Sequence, residues 1–146
     1  MKISTKGRYA LRMLLDMAQH REEGYISLRS IAERQGISKI YLEQIVAILK
    51  NTDILNSNRG FQGGYKLAKS PAACTVGDIL RLTEGNLAPV ACLEEGAVPC
   101  VRRSFCPTID VWTGLERIIA HYLDGITLQD LLERRPGAPI TLTRLP

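Results

Sequence analysis

Apolar side chains recur along the first third of the chain at the spacing of helices and then switch to the alternation of strands. From Thr5 to about His20, Ala10, Leu11, Leu14, Leu15 and Ala18 fall one, three and four apart, the stripe of a helix that faces a core. Charge and Gly24 interrupt it between Arg21 and Tyr25. Ser27 is placed to cap a second helix with Leu28, Ile31 and Ala32 inward, and Gly36 supplies a left-handed stop. Only Ile37 separates that glycine from Ser38, which can cap a third helix turned inward through Leu42, Ile45, Val46 and Leu49. Two helices joined by a tight glycine turn outline a helix-turn-helix, an outline shared by any α-hairpin in a bundle.

The segment after the third helix narrows the choice. Ile54 to Asn58 alternates apolar and polar, Arg59-Gly60-Phe61-Gln62-Gly63-Gly64 is a glycine-rich tip, and Tyr65 to Leu67 alternates again, so a two-stranded wing is predicted. Thr75 and Asp78 form a capping-box pattern that opens a fourth helix through Ile79, Leu80 and Leu82. Periodicity then vanishes from 85 to 107, a stretch holding Gly85, Pro89, Gly96, Pro99 and Pro107 and expected to lack secondary structure of its own; loops this long are usually functional or disordered. Ile109, Trp112, Leu115, Ile119 and Tyr122 or Leu123 return at helical spacing, with Val111 and Ile118 widening the apolar face. A face that wide needs a second surface, most simply its own twofold copy in a homodimer. Thr127 can cap a last short helix through Leu128, Leu131 and Leu132.

The fold class predicted is mainly α with a small β hairpin: a winged helix-turn-helix domain over 1–84, a cysteine-containing loop over 85–107, a long dimerisation helix and short C-terminal helix over 108–135, and an extended tail over 136–146. Its 146 residues suit one compact domain, or a small domain with an extension.

Charge adds a partner class. Residues 1–67 hold five Lys and six Arg against six acidic residues, whereas the remainder carries one net negative charge. This asymmetry is that of a phosphate-binding module joined to a neutral partner. No run approaches the roughly 18 to 20 apolar residues that span a bilayer, and no signal-peptide pattern opens the chain, so a cytoplasmic location is expected. In that reducing compartment, four cysteines with three clustered read as metal ligands or redox thiols rather than staples.

On the third helix, Tyr41, Glu43 and Gln44 fall outside the apolar stripe and are expected to face outward. Gln matches adenine N6 and N7, Glu accepts from cytosine N4, and Tyr or Ser reaches phosphate or a base edge. Arg59 at the wing tip suits a narrow minor groove, where the negative potential is deepest. Lys2, Lys6, Arg8 and Lys39 are candidates for phosphate contacts. Cys92, Cys100 and Cys106 make a C-x7-C-x5-C pattern, unlike the close pairs of zinc knuckles. Such thiolates suit a [2Fe-2S] centre with one further ligand, or sensor thiols that pair on oxidation. Cys74 reads as a buried filler, and His20 and His121 as surface or core residues. No carboxylate-histidine set, phosphate loop or dinucleotide fingerprint is present, so an enzyme is not expected; a redox protein or an interaction module without DNA binding remains open.

Met1-Lys2-Ile3-Ser4-Thr5-Lys6-Gly7-Arg8-Tyr9-Ala10, Arg34-Gln35-Gly36-Ile37-Ser38, Tyr41-Leu42-Glu43-Gln44, and Arg59-Gly60 with Gly63-Gly64-Tyr65 together resemble the signature of the Rrf-two family of bacterial winged-helix transcription regulators. The resemblance covers nearly the whole chain and is nearest to the family's iron-sulfur cluster regulators. It implies a homodimer paired through the long C-terminal helix, with two wings on a pseudo-palindromic operator in double-stranded DNA. Tyr41, Glu43, Gln44 and Arg59 would read bases and grooves, with Ser38 nearby. Cys92, Cys100 and Cys106 would hold a [2Fe-2S] cluster whose occupancy changes the operators bound, in a repressor or dual regulator of iron-sulfur assembly genes. Two departures stand out. The first two cysteines lie farther apart than in many members, and the family's histidine ligand, three residues after the third cysteine, is Ile109, which cannot ligate. Asp110 is the nearest substitute, with Thr108, Glu94, Glu95, His121 or an exogenous thiol as others; the acidic N-terminal residue that some relatives use corresponds to Arg8. Other members sense nitric oxide, thiol oxidation or cysteine supply, and those signals stay open.

Overall fold

A computed structural model describes residues 1–134; the extended tail expected over 136–146 lies outside the described residues. The elements are α1 (Thr5–Gln19), α2 (Leu28–Gln35), α3 (Lys39–Leu49), β1 (Leu55–Asn58), β2 (Gly64–Leu67), α4 (Val76–Glu84), α5 (Ile109–Asp124) and α6 (Leu128–Glu133). The strands form one antiparallel hairpin in which Leu55 faces Leu67 and Asn58 faces Gly64.

Helix starts are set by side-chain caps that satisfy otherwise unpaired amides. The Ser27 hydroxyl accepts from the Ser30 amide at 3.1 Å, and that of Ser38 from the Tyr41 amide at 3.2 Å. Thr75 and Asp78 complete a reciprocal capping box on α4, and Thr127 and Asp130 do the same on α6. Between α2 and α3, Gly36 stands at φ 62°, so α3 leaves the turn in a direction that a residue with a Cβ would reach only under strain.

The loop from 85 to 107, expected to be without secondary structure, contains one-turn 3-10 segments at Ala91–Leu93 and Arg103–Phe105. Each is closed locally, as by the Leu93 amide to the Val90 carbonyl at 3.1 Å and the Phe105 amide to the Arg102 carbonyl at 3.1 Å. Such turns need no apolar period, which is why periodicity passes over them.

One core collects Met13, Leu14 and Met17 of α1, Ile31 of α2, Leu42, Ile45 and Leu49 of α3, Ile54 and Leu55 at the wing root and Ile79 of α4. Burying a side chain of this kind contributes roughly 2 kcal/mol, so the inner face of α3 outweighs its cap, worth about 1 kcal/mol, in fixing the helix. Leu128 of α6 also enters this core. The chain returns to it through a short antiparallel bridge: the Val76 amide donates to the Ile126 carbonyl at 2.8 Å, and the Leu128 amide to the Cys74 carbonyl at 2.9 Å. A second cluster of Val76, Leu80 and Ile126 receives Tyr122 and Leu123 of α5. There Arg81 donates to both carboxylate oxygens of Asp124 at 2.7 Å. The opposite side of α5 is left open among the described residues: Val111 is 60% exposed, Leu115 39% and Ile118 46%.

The least expected member of the interior is Asp16, 1% exposed. Arg34 donates to it from Nε at 3.0 Å and from Nη2 at 2.6 Å, and Gln35 from its amide at 2.9 Å. Burial pushes this carboxyl up, but the hydrogen bonds from Arg34 and Gln35, with the charges of Arg34 and His20, outweigh it and hold the group below the ordinary carboxylate range. Asp16→Asn is therefore expected to destabilise the fold by about 2 kcal/mol at neutral pH, less than for a fully buried pair because Arg34 reaches solvent. A depressed carboxyl contributes its full stability above its unfolded value and loses it as pH falls through its folded value. Urea unfolding should thus show wild type and variant converging in acid; a gap undiminished at about pH 2 would assign the effect to packing instead.

Candidate nucleic-acid interface and cysteine loop

The turn between α2 and α3 is held from behind. Arg12 of α1 donates from Nε to the Gln35 side-chain oxygen at 3.3 Å and from its other arm to the Gln35 carbonyl, while Asp16 takes Arg34 and the Gln35 amide. The start of α3 is thereby presented on a fixed base. Ser38, Lys39, Glu43 and Gln44 are exposed on it, and Lys39 Nζ lies 3.0 Å from Glu43 Oε1. Tyr41, expected to face outward with them, is half-buried: its ring meets that of Tyr9 edge-on, with centroids 5.4 Å apart at 75°. Packing against α1 wins because Tyr9 lies within reach and an edge-to-face pair is favourable. Arg12 covers the other partner, its guanidinium 5.4 Å from the Tyr9 ring.

Ile40, absent from the residues anticipated for this face, is 71% exposed at the head of α3. Its phase could have disclosed it: Ile40 falls out of step with Leu42, Ile45, Val46 and Leu49. An exposed aliphatic side chain beside polar ones suits a thymine methyl.

The wing stands next to this helix in sequence and is pinned at its root. Ile26, in the connection before α2, exchanges both backbone hydrogen bonds with Tyr65 of β2, each 2.9 Å. Gly64 permits that approach, since a Cβ there would lie 2.4 Å from the Ile26 carbonyl oxygen. Lys66 adds a cation over the Tyr25 ring at 4.5 Å. Arg59 opens the tip immediately after β1 and is exposed. Among the phosphate candidates, Lys2 is exposed, Lys6 is half-buried, and Arg8 turns back on its own helix, donating to Thr5 Oγ1 at 3.1 Å.

The three loop cysteines are free thiols, Cys100 exposed and Cys92 and Cys106 partly so. Cys106 Sγ lies 3.5 Å from Thr108 Oγ1. The Thr108 hydroxyl, then the backbone amides of Thr108 and Ile109 at the start of α5 and the charge of Arg102, hold its thiol below the usual range. Thiolate character of that kind suits a metal ligand or an oxidisable sulfur. The donor chemistry therefore fits three positions of an iron-sulfur centre. The arrangement does not yet gather them: among the described residues no group of three or more His, Cys, Asp or Glu side chains stands close enough to hold a metal ion. Ile109 is the first residue of α5, and Asp110 follows it, exposed in the first turn. Cys92, Glu94 and Arg103 line an open cavity of about 360 Å³ together with Glu116 of α5. Glu116 was not among the anticipated donors, although it lies two helical turns beyond Ile109 on the same face. Cys74, as expected, is buried, and burial pushes its thiol up.

Comparison with known proteins matches residues 3–134 to a family model described as Rrf2, iron-dependent transcriptional regulator. The HTH-type transcriptional regulator CymR of Bacillus subtilis is 41% identical over 137 residues, covering 94% of each chain. Its solved structure, described as the global cysteine regulator of that organism, superposes with a TM-score of 0.73 at 40% identity, covering 90% of this chain and 96% of that one. The solved structure of IscR from T. potens gives a TM-score of 0.71 at 43% identity, covering 91% and 87%. These relatives are transcription regulators, not enzymes, and they share the winged-helix architecture. The chain belongs to the Rrf2 family of winged-helix transcriptional regulators.

Proposed function

We propose that the protein is a homodimeric repressor that reads a pseudo-palindromic operator through α3 and the wing and takes its signal from the cysteine loop. The observation that carries this reading is the exposed polar head of α3, fixed from behind by Asp16 and flanked by a pinned hairpin with Arg59 at its tip. In the major groove, Gln44 would pair with adenine and Glu43 with cytosine, while Ser38 and Tyr41 reach the backbone or a base edge. Lys39 neutralises Glu43 against neighbouring phosphates. Residues 1–84 form the DNA-reading unit on this view, 85–107 the sensing loop and 108–135 the pairing segment. Dimerisation is supported by the Val111, Leu115 and Ile118 stripe, which one copy leaves in water.

The loop's chemistry points to the kind of signal. Cys92, Cys100 and Cys106 would supply three thiolates to a [2Fe-2S] cluster, which when bound contributes charge and a covalent tie between the two ends of the loop. The iron-dependent description of the family and the likeness to IscR support this. A second reading, thiol oxidation or cysteine supply as the signal, is favoured by the ungathered thiols, the lowered Cys106 and the likeness to a cysteine regulator.

Three outcomes are expected. Arg59→Ala should weaken binding to the region upstream of the protein's own gene about tenfold and reduce its salt slope by about one, measured by gel shift at several salt concentrations. Salt-independent retention, equal in both proteins, removes the DNA reading. Ile118→Glu should shift the protein from dimer to monomer in sedimentation, because a charge placed in an apolar seam has no partner there. Anaerobically purified protein should show visible absorbance with iron and sulfide in equal amounts, lost in Cys92→Ala, Cys100→Ala or Cys106→Ala. Colourless protein that forms a reversible disulfide under mild oxidant would favour the thiol reading.

A further inference from the structure

The wing tip carries a large apolar side chain that lies outside the core. Phe61 is fully exposed, more so than any other large apolar residue among those described, and it stands two positions after Arg59. A phenyl ring in water forgoes its transfer free energy, so a ring held out on a fixed support is poised for an apolar partner. The support is fixed. The Gly63 amide donates to the Gly60 carbonyl at 2.9 Å to close the turn, and the root is bonded to Ile26 on both of its backbone groups. A Cβ on Gly63 would come within 2.7 Å of the Asn58 carbonyl oxygen, so the turn is as tight as a backbone allows. The ring borders a groove of about 690 Å³ that Glu23, Tyr25, Ile26, Ser27 and Asn58 also line, and it stands fully exposed at that groove's edge instead of filling it.

Charge selects the partner. From Asn58 to Gly64 the tip contains one cation, Arg59, and no acidic residue, and the hairpin comes directly after the recognition helix. A cation and an aromatic ring presented together, beside a helix shaped for a major groove, complement a duplex whose phosphates are negative and whose stacked bases are its apolar interior. We propose that Phe61 is a wedge: with Arg59 in the minor groove, the ring enters between adjacent base pairs, partly unstacks them and bends the duplex. Pyrimidine–purine steps open most readily, so a TA or CA step is expected where the tip lands. Gln62 is placed to hydrogen-bond the acceptors on the minor-groove edge. This inference rests on the DNA reading above.

The test uses the full chain and duplexes that the wild type enriches from a random-sequence pool. Affinity is measured by titration, and bending by energy transfer between dyes at the duplex ends, for wild type, Phe61→Ala and Phe61→Leu. Phe61→Ala should keep the wild-type melting temperature, since the ring is outside the core, bind about tenfold more weakly with an unchanged salt slope, and leave the duplex nearly straight. Phe61→Leu, still a wedge, should retain most of the bend. Equal affinity and bend in Phe61→Ala, or weaker binding with the bend preserved, overturns insertion while leaving the DNA reading in place. Failure of the wild type to enrich any duplex removes the DNA reading and the wedge with it.

Discussion

A carboxylate with almost none of its surface in water must be met by cations and donors, and Asp16 is met by the two residues that end α2. That requirement fixes the geometry of everything outward of it. Arg34 and Gln35 sit immediately before Gly36, so anchoring them to α1 sets where the turn begins and hence how α3 leaves it. Apolar packing alone is non-directional and would tolerate α3 sliding or rotating on the core. The bidentate Arg34 contact does not, because its two parallel bonds specify orientation as well as distance. The energy of the pair is modest after desolvation; its value lies in specifying one docking of the helix-turn-helix on α1.

The same logic of pinning recurs at the wing. A two-stranded hairpin is marginal on its own in water. Here the Ile26 bridge lends it a third partner, and Leu55 and Ile54 root it in the core. The tip is thus held relative to α2, and through Arg34 relative to α1. The head of α3 and the wing therefore share one frame.

How much of this the sequence discloses depends on the range of the interaction. Caps at Ser27, Ser38, Thr75 and Thr127, the Gly36 stop and the stripes of α1 and α3 are local, and they are legible from residues a few positions apart. The Asp16 network is not, because an aspartate on α1 has no visible partner until folding brings positions 18 and 19 residues away against it. Tyr41 misleads for a related reason: its phase on α3 says outward, but Tyr9 covers it from another helix. The return of α6 into the core through the bridge between Thr75 and Thr127 is likewise invisible to any window of sequence. In the cysteine loop the residue types are legible, but the spacing does not say whether the sulfurs meet, and among the described residues no three donors are gathered closely enough to hold a metal ion.

The loop that carries these sulfurs is tied into the fold at both of its ends. The loop leaves α4 and enters α5, and those two helices are tied by Arg81 and Asp124 and by the cluster of Val76, Leu80, Tyr122 and Leu123. α4 in turn inserts Ile79 into the core that α1 and α3 share. The third cysteine of the loop is itself tied to the start of α5, where Thr108 and Ile109 hold the Cys106 sulfur. Among the described residues α5 is packed on its α4 side, while Val111, Leu115 and Ile118 on its other side are exposed. A change at the Cys106 end of the loop thus meets a helix that is tied to α4, and through Ile79 of α4 to the core that α1 and α3 share.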